Sequence, residues 1–187
     1  MDIDSHLLGR LVLYAALLAG AFFVFARVRS DYRAHAKLSR PTAILQVGYF
    51  CAYSLSSYAF LDARLSQVHT GSLLFPIALA LMAAGLLLVV LSMPFLGRRS
   101  FGREIGSLRT QGLYRYSRNP QLVGGFLFIV GYTLLWPSWI GLLWAGLWPI
   151  IAHLMVQGEE EHLEQVFGDE YREDCAQAPR YLGLPRQ

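Results

Sequence analysis

Two short segments concentrate the residues that could do chemistry. The first, GLYRYSRNPQLVGG from Gly112 to Gly125, places Tyr114, Arg115, Tyr116, Arg118 and an Asn119-Pro120 step directly before a strongly apolar run. Asn-Pro at such a boundary reads as a helix start, with Asn119 able to cap and Pro120 in the first turn, where its missing N–H costs nothing. The free backbone N–H groups of a helix start, with Gly112 and the two phenol rings beside them, form a cradle for a polar, aromatic ligand. The same tyrosines and arginines could also simply anchor a helix at the lipid–water interface.

The second segment, EEEHLEQVFGDEYRED, opens on Glu159, Glu160 and Glu161, three carboxylates that repel one another unless a cation or strong donors lie nearby. Helical spacing puts Glu160, Leu163, Glu164 and Phe167 on one face and Glu159 with His162 on another, so a solvated acidic face is the alternative reading. Glu159 and His162 have the spacing of half a carboxylate di-iron motif. There is no second copy, and His6, His35, His69 and His153 are scattered, so no metal is expected.

The elements that must position these segments are membrane helices. Of 187 residues, 55% are hydrophobic and only 16% charged, unlike a soluble domain with a solvated surface. Apolar stretches long enough to cross the hydrocarbon run from Leu7 to Ala26, Thr42 to Leu61 and Ser72 to Leu96. A further run from Gln121 to Val156 is too long for one helix and breaks at WPSW, Trp136 to Trp139, where Pro137 starts a new helix and two indoles suit a headgroup belt. The expected architecture is therefore an all-α integral membrane protein of five transmembrane helices, the last two a hairpin, with a cytoplasmic C-terminal helical tail. A hairpin joined only by Pro137 and Ser138 holds its helices antiparallel and adjacent, so residues around Arg118 and Glu159 can share one pocket. No internal repeat or linker divides the chain, and 1–187 reads as one domain, with three spans in 1–96 and the polar segments in 97–187.

Basic residues set the orientation. Arg27, Arg29, Arg33, Lys37 and Arg40 fall in the first loop, Arg98, Arg99, Arg103, Arg109, Arg115 and Arg118 in the second, and Arg172, Arg180 and Arg186 in the tail. Only Arg10 and Arg64 of the sixteen basic residues remain for the other side, which implies an N-out, C-in, multi-pass protein of the inner membrane. Topology and attraction to anionic headgroups thus account for the basic balance without nucleic acid. The start MDIDSHLLGR is acidic where a signal peptide is basic, so the first helix is expected to stay. Cys51, in a span, and Cys175, in the tail, are not expected to pair. The first three spans hold no ionisable side chain in their central turns, which argues against a pump or channel. Gly85, and Gly141 with Ala145, permit close helix approach.

The two polar segments together resemble a family. Gly112, Tyr114, Arg118, Asn119 and Pro120, then an apolar hairpin, then Glu159, Glu160, Leu163, Phe167, Gly168, Tyr171, Pro179 and Arg180, follow the order and spacing of the membrane methyltransferases typified by isoprenylcysteine carboxyl methyltransferase and the phospholipid N-methyltransferases. The resemblance covers roughly residues 97 to 182. It implies that S-adenosylmethionine binds at the cytoplasmic mouth of the last two helices and that a lipophilic substrate enters from the bilayer. By matching positions, Leu108, Arg109, Tyr114, Arg118, Asn119, Pro120, Gln121 and Leu122 would line the cofactor pocket. Glu159 would lie beside the cofactor's amino-acid or ribose portion, with Glu160 next to it.

Three positions depart from that pattern. Asn119 stands where prenylcysteine enzymes have His, Leu122 where many members have Tyr, and Met155 where prenylcysteine enzymes carry an Arg suited to a substrate carboxylate. Met155 and His153 are accordingly placed on the substrate side, and a carboxylate-bearing acceptor is disfavoured. Methyl transfer needs alignment more than acid–base help, so the catalytic residue is left unassigned, with Glu160, His153 and His162 the groups able to take a proton. Two rival readings remain: an NADPH-dependent membrane sterol or enone reductase, and a non-enzymatic scaffold of the same fold. The oligomeric state and the acceptor atom are left open.

Overall fold

The computed structural model describes residues 5–61, 68, 70–96 and 112–185, and these are mostly helical, with no strand among them. The helices are α1 (Ser5–His35), α2 (Arg40–Leu61), α3 (Leu74–Leu96), α4 (Pro120–Leu134), α5 (Trp139–Ala145), α6 (Leu147–Phe167) and α7 (Asp169–Gln177), with a 3-10 turn at Gly112–Arg115. Among the described residues four stretches are long and apolar enough to cross a membrane: α1, α2, Leu74–Met93 of α3, and Trp139–Phe167, where α5 and α6 run on through Gly146. Helix α4 has 15 residues, about 22 Å of rise, and is short of the roughly 30 Å hydrocarbon core.

The hairpin expected from the sequence is present, with one change in its punctuation. Ser138, not Pro137, opens the returning helix: its Oγ accepts the Gly141 N–H at 3.0 Å, an N-cap, and Pro137 precedes it. Trp139 is exposed beside the turn. The most extensive packing of α4, however, is against α3. Gly85 faces Gly124, and Gly131 faces Ala78 and Met82, so closely that a Cβ at Gly85 would come within 2.5 Å of the Gly124 carbonyl oxygen. Small residues here let two backbones approach, as membrane helices require when no hydrophobic effect drives them together.

The rest of the core lies among α1, α2, α5 and α6. Leu17, Ala21, Phe25, Tyr49, Tyr53, Phe60, Trp144 and Ile151 are buried there. Polar atoms in that apolar setting are paired, as their desolvation demands. Trp144 Nε1 donates to Ser56 Oγ at 2.9 Å, Ser56 Oγ donates to the Tyr53 carbonyl at 2.6 Å, and the Tyr53 ring stacks on Trp144 at 4.8 Å. Gly141 packs on Leu61, and Ala145 is buried, which gives these two small residues a packing role.

Helix α1 continues well past the apolar stretch that ends at Ala26, carrying Arg29, Tyr32 and Arg33 on to His35. That extension packs alongside the end of α6. At Gly168, φ is +53°, a conformation suited to glycine, and there α6 gives way to α7.

Candidate functional site

The site grows from the start of α4. Pro120 occupies the first helical turn, as its fixed φ and missing N–H favour. Asn119 does not cap with its side chain. Its amide instead donates to the Arg180 carbonyl at 3.0 Å, while the Arg118 N–H donates to the Pro179 carbonyl at 2.9 Å and the Gly183 N–H to the Tyr116 carbonyl at 3.1 Å. Three hydrogen bonds therefore fasten the segment after α7 across the helix start. Held by its Nδ2 on that distant carbonyl, the side chain makes no cap with its own helix.

Across from Pro120, the end of α6 sorts its carboxylates by direction, since successive helical residues point about 100° apart. Glu160 turns toward α4. Its Oε1 meets Arg118 Nη1 at 2.9 Å, and Arg180 grips both oxygens, Nε to Oε1 at 3.0 Å and Nη2 to Oε2 at 2.6 Å. Arg118 Nη1 also donates to the Tyr171 hydroxyl at 2.7 Å and to Cys175 Sγ, and its guanidinium lies 5.7 Å from the Tyr171 ring centre. Glu161 turns toward α1, where Arg29 and Arg33 both bond its carboxylate. His162 stacks on Tyr32 of α1 at 4.6 Å.

Glu159 is left between these clusters, half-buried. No hydrogen bond or ion pair among the described residues engages it, and it lies within electrostatic reach of Glu160 and Tyr32. Two buried polar atoms at the α4 start are likewise unpartnered, Arg118 Nε and Gln121 Oε1. Buried polar groups without protein partners are uncommon, and such atoms are open to water or a ligand. Here they comprise a donor, an acceptor and a carboxylate, close to a cluster of two guanidiniums on one carboxylate that carries net positive charge.

Around this centre, burial pushes the Tyr171 phenol up against the opposing pull of Arg118, so it stays neutral at ordinary pH. Burial likewise raises Asp174, again against Arg118, and Tyr181.

The expected pocket residues fall in several places. Arg118, Asn119, Pro120, Gln121, Glu159 and Glu160 are gathered at one end of the bundle. Tyr114 is buried in the 3-10 turn, and Leu122 is buried with Ala152 and Val156. Leu108 and Arg109 lie outside the described residues. Met155 and His153 diverge. Met155 packs between the two core clusters, with Gln46 Nε2 at 3.8 Å from its Sδ, whereas His153 is exposed and joins Gln157 at 3.0 Å to the Tyr181 hydroxyl at 3.3 Å. Reading the sequence alone missed the α1 contribution of Arg29, Tyr32 and Arg33. Their i, i+3, i+4 spacing was the available signal.

The family model described as phospholipid methyltransferase matches residues 73–170, which takes in α3 through α6 and the start of α7. No curated protein and no solved structure matches the chain. The matched half contains the α3–α4 pair, the hairpin and the Glu159–Glu160 pair, and the chain belongs to the phospholipid methyltransferase family, within the superfamily of integral membrane methyltransferases that also includes the isoprenylcysteine carboxyl methyltransferases.

Proposed function

We propose that this protein transfers the methyl group of S-adenosylmethionine to a lipophilic acceptor, such as an isoprenoid or a phospholipid, at the end of the bundle where α4 begins and α6 ends. The observation that carries the reading is the charge separation there. Arg118 and Arg180 share Glu160 on one side, while Glu159 has no partner among the described residues on the other. An amino-acid zwitterion with an adjoining sulfonium complements that arrangement: a carboxylate suits the free Arg118 Nε, and an ammonium or sulfonium suits Glu159 and Gln121 Oε1. When bound, S-adenosylmethionine supplies an electrophilic methyl on a positively charged sulfur.

The protein's own contribution is to hold, orient and dry the site. Charge-assisted bonds from Arg118 and Glu159 gain strength where water is excluded, and Asn119 keeps the segment after α7 closed over the helix start. Alignment alone can supply much of the rate. On this reading the basic end faces the cytoplasm, in an N-out, C-in protein of five spans in the inner membrane, with α4 the fourth.

The deciding experiment is calorimetric titration of detergent-purified protein with S-adenosylmethionine, with NADPH in parallel and Glu159→Gln as control. Micromolar binding that weakens in the variant supports the proposal, and labelled methyl transfer into candidate lipids then finds the acceptor. Binding of NADPH alone, or of neither ligand, would sink it in favour of a reductase or a scaffold.

A further inference from the structure

The flank of α6 that carries Glu161 turns away from Arg118 and toward α1, and between these two helices runs a groove of about 640 Å³. Its walls change character along their length. Phe22, Phe25 and Ala26 of α1, with Leu154 of α6, make an apolar half. Arg29, Ser30 and Arg33, with Gln157, make a polar half. From Phe22 to Arg33 the helix rises about 16 Å, so the sequence of surfaces is that of a lipid: chain, then headgroup.

The charge at the polar half is unbalanced. One carboxylate, Glu161, faces two guanidiniums, whose side chains remain 39% exposed at Arg29 and 58% exposed at Arg33. Glu161 thus holds the two groups side by side while leaving N–H donors directed elsewhere and one positive charge in excess. Paired guanidiniums with a neighbouring hydroxyl are well suited to a phosphate. The groove is separate from the Glu159–Glu160 site, because Glu160 faces Arg118 and Arg180 and the α1 wall lies outside the residues matched to the family.

We propose that this groove binds an anionic phospholipid of the surrounding bilayer, its phosphate on Arg29 and Arg33 and its chain along Phe22, Phe25 and Leu154. This lipid is distinct from the methyl acceptor, and it fastens α1 to α6. The inference does not depend on the identity of the methyl donor.

The test is native mass spectrometry and thermal unfolding of delipidated, detergent-purified protein resupplied with phosphatidylglycerol, phosphatidylcholine or inorganic phosphate. Wild type is expected to retain phosphatidylglycerol and to unfold at higher temperature with it than with phosphatidylcholine. Arg33→Gln, at an exposed position, is expected to weaken that retention about tenfold. Glu161→Gln is the discriminating variant. If the arginines serve only to tie the helices, it behaves like Arg33→Gln; on the lipid reading it retains the lipid at least as well as wild type, because both guanidiniums are released to the phosphate. Equal retention of phosphatidylcholine, unchanged retention in Arg33→Gln, or the same stabilisation by inorganic phosphate alone would each overturn the proposal.

Discussion

Arg118 and Glu160 meet at 2.9 Å, one just before α4 and the other near the end of α6, with side chains only 13% and 16% exposed. Removing Glu160 strands Arg118 in a poorly solvated place, and removing Arg118 leaves Glu160 only the more exposed Arg180. Glu160→Gln is therefore expected to destabilise the protein by about 2 kcal/mol, and Arg118→Met by a similar amount. The double variant carrying both substitutions should cost less than the sum, because no buried guanidinium is left without its carboxylate and the more exposed Arg180 can turn to water. Unfolding midpoints of the two single variants and the double variant close the cycle. Strict additivity would show that the pair is not coupled.

Glu159 behaves oppositely. It bonds to nothing among the described residues and stands next to another carboxylate, so its charge is a cost to the ligand-free protein. Glu159→Gln should raise ligand-free stability by about 1 kcal/mol while weakening S-adenosylmethionine binding at least about tenfold. Thermal unfolding and calorimetry on the same preparation read both effects. A variant that is less stable and binds normally would remove Glu159 from the site.

How far the sequence revealed this arrangement depends on the range of each signal. The hairpin was legible because Pro137 and the flanking tryptophans interrupt a long apolar run, and a hairpin necessarily brings Arg118 near Glu159 and Glu160. The α3–α4 contact was not: Gly85, Gly124 and Gly131 announce a close approach without naming the partner. The full length of α1 is not legible, because a helix that continues past the apolar layer at Ala26 no longer shows in hydropathy. In the sequence Arg29 and Arg33 consequently stand out only as topological charges, although each bonds Glu161. The role of Asn119 was similarly hidden, since local rules favour a cap and its actual acceptor, the Arg180 carbonyl, is brought there only by the tertiary fold.

Asp174 supplies a pH dependence with a definite sign. Burial raises its folded-state pKa above the ordinary carboxylate value, and Arg118 only partly offsets this. Between the ordinary value of about 3.9 and the raised one, the folded protein binds more protons than the unfolded, so stability falls as pH rises through that window. Asp174→Asn removes the effect. The variant should be the more stable protein at pH 7, with the advantage shrinking as pH drops below the raised value and the wild-type carboxyl is neutral in the folded protein too. A constant difference across the range would show that the carboxyl is not the cause.

Placement of the α4 start depends on the close approach of α3. A Cβ at Gly85 would lie 2.5 Å from both the Gly124 carbonyl oxygen and the Phe128 nitrogen, and one at Gly131 would lie 2.6 Å from the Ala78 carbonyl oxygen. These neighbours are backbone atoms, so the helices themselves must separate. Gly85→Ala is expected to cost about 1–3 kcal/mol. Gly48→Ala in α2, where a Cβ meets nothing within 4 Å, is expected to be neutral or to gain up to about 1 kcal/mol from helix propensity. Because Asn119, Pro120 and Gln121 ride on α4, the same separation should weaken S-adenosylmethionine binding in Gly85→Ala and leave it unchanged in Gly48→Ala. Loss of stability at Gly85 with normal binding would mean that the α4 start is held in place by the Pro179–Gly183 hydrogen bonds and not by α3.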